Sequence, residues 1–373
     1  KAIELLPKKT SVSRVSKDAA ICLKARICLF EGTYRRYRDI EGGDDFLKLA
    51  YDAAGMLMDP GFGYSLYTEG GPDQWYFNLF IQPSYKDNPE IILSREYDPE
   101  INMGNDVTRL NGSHGMSRDC FEEYLCSKTG KPVSICGCHN PSMGMVAEMK
   151  NRDGRLVQSV CVPEAGNPHS NQLFRTINGK IQGGAPNIQG ILTASATRPF
   201  YAESSTGYSI SKFFSMKDFE DQALHHGTID APVMRYAEIL LIRAEAGAEL
   251  GLDPELDKTV NALRERVGFP FKLAPNPEED PDLVSKYPVI KGPDANLIRE
   301  IRRERRVELF CENFRWDDIV RWKVGNEVFN LRERRGAPLD PKLYSESEIE
   351  IIKSKVGVDD DGFILPYKVS GRL

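Results

Sequence analysis

The chain has 373 residues, of which 40% are hydrophobic and 28% are charged, and its formal net charge is −6 at pH 7. This is the composition of an ordinary globular protein that can bury a sizeable core. The acidic balance argues against nucleic-acid binding, because phosphate recognition requires a basic surface. The sequence contains no apolar run of the length, about 18 residues, that a membrane-spanning helix needs.

Residues 1–60 are predicted to form a pair of helices. In SKDAAICLKARICLFEG, apolar residues recur at helical spacing, with Leu23 and Ile27 on the expected buried face and Gly32 as the end signal. The second helix, DDFLKLAYDAAGMLMD, stops before Pro60. We therefore assign this segment to one helical repeat pair.

Residues 61–230 are rich in Gly, Pro, Asn and Ser and carry only short apolar runs. A structureless loop of this length is improbable in a compact domain. We predict an irregular layer of short helices and strands laid over a helical scaffold. Because binding residues concentrate in such segments, this layer is the expected place for a ligand site.

A second helix pair is predicted from APVMRYAEILLIRAEAGAELG and DPELDKTVNALRERVG, which end at Gly251 and Gly268. The small side chains of Ala244 and Ala248 allow another helix to approach closely. A third pair is expected near 296–313 and 315–324.

We assign residues 231–335 to helical repeat pairs and residues 336–373 to an irregular C-terminal segment. Helix pairs with small residues at their crossings resemble tetratricopeptide-type units, although their spacing along this chain is irregular.

One face of the first helix in the third pair begins apolar and continues charged. Ile298, Ile301, Arg305, Glu308 and Glu312 follow one another at steps of three and four residues. A solvated face and a phosphate site are alternatives, but two leading isoleucines favour buried ion pairs, which must all be matched. We predict that Arg305 pairs with Glu308 or Glu312 and meets an arginine of the next helix. The predicted structural network comprises Arg305, Glu308, Glu312, Arg315, Asp317 and Arg321.

The eight cysteines do not present a common metal motif. Cys22 and Cys28 lie in an apolar helical pattern and are expected in the core. The CGCH sequence at 136–139 has one residue between its cysteines, which is fewer than in common zinc pairs or in a haem attachment motif. We expect no metal and no cofactor. A disulfide within the stretch from Cys120 to Cys161 stays an alternative in an oxidising compartment.

Several segments resemble the SusD/RagB family in the order the family has them. RRERRVELFCENFRWDDIVRWK closely resembles its signature ERR-E-x-x-x-E-x-x-R-x-x-D-x-x-R-W. EIILSREY, YLCSKTGKPV, TGYSISKF, APVMRYAEILLIRAEAGAELG and VNALRERVGFP resemble further family segments. NRDGRL resembles the N-R-D-P-R-L motif, with Gly154 where Pro is usual. The family's lipidated N-terminal portion and its usual C-terminal ending are not matched, so we interpret the chain as an internal fragment.

The resemblance implies a mainly α, SusD-like fold in one domain over residues 1–373, with tetratricopeptide-type helix pairs and an irregular loop-rich ligand-binding layer. Proteins of this family are surface lipoproteins of the outer membrane in Bacteroidetes. They capture glycans for import through a SusC-like TonB-dependent transporter. We therefore expect a glycan ligand, such a transporter as partner, no nucleic acid, and membrane attachment only through an N-terminal lipid anchor absent from this chain.

Sugar recognition combines aromatic faces with polar side chains that meet hydroxyl groups. GFGYSLYTEGGPDQWYFNLF is the richest candidate stretch and RPFYAESSTGY is the second. The alternative is that their aromatic residues pack in the core, as we expect for Trp316 and Trp322. The predicted glycan-binding residues are Tyr64, Tyr67, Trp75, Tyr76, Asn78, Tyr201 and Tyr208.

Two further functions stay open beside glycan capture. A helical-repeat adaptor would bind a peptide or protein partner in a concave groove. A glycoside hydrolase would need two carboxylates that flank a cleft, and the sequence singles out no such pair. Because it also shows no Ser/His/Asp set, phosphate loop or dinucleotide fingerprint, we predict no catalytic residue.

Overall fold

The chain divides into two compact units, which we call the helical unit and the loop-rich unit. The computed structural model describes residues 2–108, 114–161, 176–177, 180–181, 187–188, 203–204, 206–215, 217–218, 224–290, 294–329, 335–339, 341 and 344–365. The helical unit comprises Lys1–Glu69, Gln82–Glu96 and Asp230–Val328. The loop-rich unit comprises Gly70–Ile81, Tyr97–Ile229 and Phe329–Leu373.

Helices dominate the described part of the chain. The α-helices with both ends in the described residues are α1 (Ala2–Leu5), α2 (Lys17–Arg36), α3 (Gly43–Leu57), α4 (Trp75–Leu79), α5 (Arg118–Glu123), α6 (Met145–Glu148), α7 (Gly154–Ser159), α8 (Tyr236–Leu250), α9 (Val260–Arg266), α10 (Pro281–Lys286), α11 (Ala295–Glu308), α12 (Arg315–Trp322), α13 (Gly325–Val328) and α14 (Glu346–Lys355). The described strands are β1 (Ile91–Arg95), β2 (Val160–Cys161), β3 (Thr176–Ile177), β4 (Lys180–Ile181), β5 (Asn187–Ile188), β6 (Glu203–Ser204), β7 (Ser209–Ile210) and β8 (Ala231–Arg235).

Helices α2 and α3 pack closely because Gly32 has no side chain. A Cβ at this position would lie 2.8 Å from both the Cγ and the backbone nitrogen of Leu47. The predicted end of the first helix at Gly32 is therefore wrong, since α2 continues to Arg36. This glycine provides space for the neighbouring helix.

The buried face of α2 differs from the predicted one. Leu23 is 43% exposed and Ile27 is 53% exposed, whereas Ile21 and Leu29 are buried. Apolar residues occur on both sides of this helix, and the buried side carries small Ala and Cys side chains. The prediction that Cys22 and Cys28 lie in the core is confirmed; the buried members of this face include Ile21, Cys22, Ala25, Cys28, Leu29 and Gly32.

The small residues of α8 perform the predicted packing role. Ala244 and Ala248 join a buried cluster that also contains Ile298 and Ile301 of α11. Gly251 ends α8 in the left-handed conformation, with φ at 68°, as its position in the sequence predicts.

The third helix pair is shorter than predicted. Helix α11 ends at Glu308, because Cys311 and Asn313 adopt positive φ values of 59° and 69°. Helix α12 ends at Trp322, which is buried as expected. The core assignment of Trp316 is wrong, since this side chain is 65% exposed.

Strands β1 and β8 pair antiparallel within the helical unit. Ile91 is the register partner of Arg235 and Arg95 is that of Ala231, with two irregularities between them. This pairing joins segments that are far apart in the chain. It brings Glu90, just before β1, beside Arg235 at the end of β8, and so prepares the charged network described below.

Side-chain caps support two of the short helices of the loop-rich unit, α5 and α7, since such helices are marginal on their own. The Asp153 carboxylate accepts a hydrogen bond of 2.9 Å from the backbone N–H of Arg155 and caps α7. Gly154 is the first residue of α7. Because a proline is tolerated at that position, the NRDGRL segment can form the same turn as an N-R-D-P-R-L motif.

None of the helices in the described ranges has the length and apolar character needed to cross a lipid bilayer.

The reassigned face of α2 predicts unequal effects for two leucines of one helix. Leu29→Ala removes a side chain that is 2% exposed and should lower the free energy of unfolding by about 2–5 kcal/mol. Leu23→Ala should change it by about 0.5 kcal/mol or less. Urea unfolding of both variants measures the difference, and a larger loss for Leu23→Ala would contradict the assignment.

Candidate functional site

The buried network of the helical unit centres on Glu308. This residue is fully buried and accepts hydrogen bonds from Arg235 Nη1 at 2.7 Å and from Arg266 Nη2 at 2.6 Å. The two arginines lie on β8 and α9, so three elements meet at one carboxylate. Glu308 is buried and paired, but its partners Arg235 and Arg266 lie outside its own helix pair. The predicted pairing of Arg305 with Glu308 or Glu312 is wrong, because Arg305 binds Asp318 instead.

Arg235 connects this centre to two more carboxylates. Its Nη1 atom lies 2.8 Å from Glu90, and its Nε and Nη2 atoms bind the two carboxylate oxygens of Glu312 at 2.6 and 2.8 Å. Arg266 also donates to Glu90, at 2.5 Å. Two buried guanidinium groups therefore share three glutamates, and this sharing offsets the cost of removing the charges from water.

A second cluster links α12 to α11 and α8. Arg305 Nε lies 3.0 Å from both carboxylate oxygens of Asp318, and Arg321 Nε lies 2.9 Å from one of them. Arg321 also makes a bidentate pair with Glu245, at 2.6 and 2.7 Å. The acidic member of α12 in this cluster is thus Asp318. The prediction named Asp317, which is exposed, and is wrong at this position.

The charge environment of Glu245 is strongly stabilising for the carboxylate. Burial alone acts to raise its pKa, but Arg321, Arg305 and Arg302 outweigh burial and lower the pKa to about 2. Trp322 Nε1 donates a further hydrogen bond of 2.7 Å to the same carboxylate. Glu245 is therefore held in its charged form.

Arg302 occupies an aromatic box in the helical unit. Its guanidinium carbon lies 4.5 Å from the ring centre of Trp322, 4.9 Å from that of Tyr37 and 5.2 Å from that of Tyr287. Its Nη2 atom donates to Glu249 at 3.0 Å.

Arg315, a predicted network member, is half-buried and donates to the Tyr287 hydroxyl at 3.2 Å.

The structure assigns three of the predicted glycan-binding aromatics to the core of the loop-rich unit. Trp75, Tyr76 and Tyr208 have no exposed surface. The Tyr76 hydroxyl accepts a hydrogen bond of 2.9 Å from Lys212, and the Tyr208 ring stacks on Phe121 at 4.4 Å. A sugar cannot reach these ring faces, so the ligand-binding assignment of the three residues is corrected to a packing role.

The other predicted glycan-binding residues occupy different settings. Tyr64 donates to Asp18 at 2.8 Å, and its ring is stacked with Tyr236. Tyr67 is nearly buried, and Asn78 is half-buried on α4. Tyr201 lies outside the described residues. A binding role for these four stays a prediction.

The loop-rich unit contains a cavity of about 580 Å³. Its lining combines apolar walls with a few polar groups, which is the usual character of a small-molecule site. We call it the loop-rich cavity; its lining includes apolar Pro141, Pro338 and Phe363 and polar Asn140, Ser142 and Asp361. Our sequence prediction missed it, because Asn140–Pro141 and the acidic turn before Gly362 indicate only turns.

Two local hydrogen-bond systems hold the polar groups of this cavity. Asn140 Oδ1 accepts bonds from the Ser142 hydroxyl and from the Ser142 backbone N–H, the latter at 3.1 Å. Asp359 accepts the backbone N–H groups of Asp361 and Phe363 at 3.1 and 2.9 Å. Arg335 Nη2 donates to Asp361 at 2.7 Å. These hydrogen bonds therefore fix the positions of the polar side chains of the cavity before a ligand binds.

Three thiols converge elsewhere in the loop-rich unit. The sulfur atoms of Cys126, Cys136 and Cys138 all lie within 4.8 Å of one another. His139 Nδ1 lies 3.3 Å from Cys136 Sγ. The expectation of no metal rested on the CGCH spacing alone, and that spacing could not reveal Cys126, which folding brings to the same place.

A sequence model described as the SusD family matches residues 73–355, which is well over half of the chain. The chain belongs to the SusD family. Two curated SusD-like proteins of Formosa agariphila, P38 and P2, are 38% identical over 96 residues and 42% identical over 97 residues. Each match covers 26% of this chain but only 18% and 17% of these relatives.

Solved structures share the SusD-like fold. A SusD-like carbohydrate-binding protein from Bacteroides fragilis has a TM-score of 0.65 at 21% identity, and the match covers 98% of this chain and 63% of that protein. A structure solved with a xylogluco-oligosaccharide has a TM-score of 0.53 at 18% identity, covering 86% of this chain and 54% of that one. This chain thus spans less than two thirds of either protein. The predicted mainly α, SusD-like fold is confirmed.

The SusD signature segment of this chain has a structural role in the helical unit. Its residues Arg305, Glu308, Asp318 and Arg321 are buried and paired with one another or with charges of other helices and strands. The resemblance to the family in this segment therefore concerns residues that hold the helical scaffold together. The ligand site must be sought outside it.

Glu308→Ala should destabilise this SusD-family chain by about 3–5 kcal/mol, because it removes one of the two buried carboxylates that Arg235 and Arg266 share and leaves their positive charges undercompensated. Glu350→Ala is the matched control, since that side chain is 74% exposed, and should cost about 0.5 kcal/mol or less. Urea unfolding measures both. Equal unfolding free energies for the two variants would mean that the network adds nothing.

Glu245 predicts an acid-dependent loss of stability. Its folded-state pKa of about 2 lies below the unfolded value of about 4.3, so the contribution is complete above that value and is lost as the pH falls toward 2. Relative to Glu245→Gln, the wild type should lose about 2 kcal/mol of unfolding free energy between pH 7 and pH 3, out of a total of about 3 kcal/mol that is lost completely only below pH 2. Unfolding curves from pH 7 down to pH 3 test this, and a constant difference would contradict it.

Proposed function

We propose that this protein binds glycans at the cell surface and captures them for import. The observation that carries the proposal is the SusD-family match over residues 73–355. Two neighbours with the same fold support it: one is described as a carbohydrate-binding protein and the other was solved with a xylogluco-oligosaccharide. If so, side chains of this protein must form a site that can bind a sugar.

We propose the loop-rich cavity as the glycan site. Phe363 and the prolines provide apolar surface for the C–H face of a sugar ring, while Asn140 can both donate and accept hydrogen bonds. The carboxylate of Asp361 can accept bonds from neighbouring sugar hydroxyls. Because these groups are held by bonds to Ser142 and Arg335, little side-chain freedom is lost on binding.

The remaining expectations for the whole protein accompany this proposal. We propose a single SusD-like domain, no catalytic activity, a SusC-like TonB-dependent transporter as partner and a surface location on the outer membrane. Family membership supports each of them. Co-purification with a transporter tests the partner, and release of reducing sugar from a bound polysaccharide would contradict the non-catalytic role.

Affinity electrophoresis in gels that contain single polysaccharides tests glycan binding and its place. The panel includes xyloglucan and other neutral glycans. At least one should retard the wild type, while Asn140→Ala and Asp361→Ala should migrate as in a glycan-free gel. Trp75→Ala is unsuitable as a probe, because this side chain is fully buried and its loss disturbs the core.

Asp257→Ala is the matched control for these variants. Asp257 lines a separate cavity of about 470 Å³ in the helical unit and pairs with Lys272 at 3.0 Å. This variant should be retarded like the wild type. Retardation of Asn140→Ala and Asp361→Ala would place the site elsewhere, and a wild type that no glycan retards would contradict glycan capture.

A further inference from the structure

The three converging thiols lie in a segment with little regular structure. Between the end of α5 at Glu123 and the start of α7 at Gly154, the described chain forms only the helical turn Pro141–Met143 and the four-residue helix α6. Metals and disulfides commonly stabilise chain segments with so little regular secondary structure. The thiol cluster is in its middle.

The thiol geometry is close to that of a tetrahedral metal site. Zinc–sulfur bonds of about 2.3 Å place sulfur atoms roughly 3.8 Å apart in a tetrahedron. The sulfurs of Cys126, Cys136 and Cys138 lie within 4.8 Å of one another, so they need to move by no more than about 1 Å. Two of the three residues are half-buried and the third is buried, which leaves an open approach for an ion.

His139 can supply a fourth ligand nitrogen next to Cys136 after a shift of its ring toward the cluster, since the group of described ligand atoms that lie within 4.8 Å of one another consists of the three sulfurs. Its Nε2 atom lies 2.8 Å from the carbonyl oxygen of Lys150, and a carbonyl can only accept, so Nε2 carries the hydrogen. In the neutral ring, Nδ1 therefore has a free lone pair, and this atom lies 3.3 Å from Cys136 Sγ. A ligating histidine that donates its other N–H to a carbonyl is the common arrangement around zinc.

A backbone N–H group points at one of the sulfur atoms, as such groups do around metal-bound thiolates. The N–H of Cys138 donates to Cys136 Sγ at 3.3 Å, across a turn in which Gly137 has a φ of 68°. This bond orients the sulfur of Cys136 and stabilises negative charge on it.

We propose that Cys126, Cys136, Cys138 and His139 form a structural zinc site. Three thiolates and one imidazole are a known closed ligand set for zinc, with no position left for a reacting water. The competing structure is a disulfide between two of the thiols, which would leave the third unpaired. The site also bears on ligand binding, because His139 directly precedes Asn140 of the loop-rich cavity; this last link rests on the proposed function.

Metal analysis of the purified full chain tests the proposal. Protein prepared with a reductant and without chelators should contain about one zinc per chain by inductively coupled plasma mass spectrometry. Cys126→Ser and Cys138→Ser should lose the zinc, and Cys311→Ser should keep it, since Cys311 is exposed and lies in the helical unit. Far-UV circular dichroism identifies any variant that fails to fold.

Two further measurements do not depend on the variants folding. Replacement of zinc by Co²⁺ in the wild type should give the intense visible bands of a tetrahedral, thiolate-rich site. Iodoacetamide should label the three cysteines only after a chelator has removed the metal. Labelling of all three in untreated protein, a disulfide between two of them, or failure of the reduced chain to take up zinc or cobalt would each overturn the proposal.

The zinc result and the glycan result are independent. The metal content is measured without any sugar, so the electrophoresis experiment neither supports nor contradicts the zinc site. If both proposals hold, removing the metal with a chelator should weaken glycan retardation of the wild type, because the loop that carries Asn140 and Ser142 loses its attachment.

Discussion

Every charge buried in the helical unit must find a partner, and this constraint organises the unit. Arg235 alone joins Glu90 to Glu308 and Glu312, so that three separate parts of the chain meet at this one guanidinium group, its own strand included. A helix packed one turn out of place would leave at least one guanidinium or carboxylate buried and unpaired, at a cost of several kcal/mol. Apolar contacts tolerate small shifts, whereas paired charges do not. The network thus specifies one arrangement of the helices.

The same constraint operates in the loop-rich unit, where regular structure is scarce. Arg118 makes a bidentate pair with Glu148 and donates to the hydroxyl of Tyr208. Arg152 donates to the backbone carbonyls of Phe121, Tyr124 and Glu148. Phe121 and Glu148 lie in the last turns of α5 and α6, and Tyr124 directly follows α5, so these are carbonyls that a helix end leaves without a backbone partner. Here one buried side chain satisfies three of them, so Arg152 caps the ends of both short helices.

Local pattern in the sequence predicted which residues are buried better than it predicted what they touch. The steps of three and four residues placed Ile298, Ile301, Arg305 and Glu308 on a buried face. The partners Arg235 and Arg266 escaped prediction, because no spacing relates them to α11. On α2 both sides carry apolar residues, so the pattern could not choose between them. The convergence of Cys126 with the CGCH turn, and the burial of Trp75 beside flexible glycines, depend on contacts that only the folded chain defines.

The pairing of β1 with β8 has a consequence for how this fold can vary. The long segment 97–229 leaves the helical unit just after Arg95 and returns just before Ala231, and these two residues are register partners. Its two ends are therefore fixed about 5 Å apart, whatever lies between them. Because the entropy of closing a loop depends only weakly on its length, this segment can lengthen, shorten or be replaced at little thermodynamic cost to the helices. A scaffold with such a junction can change its ligand while its own charges stay paired.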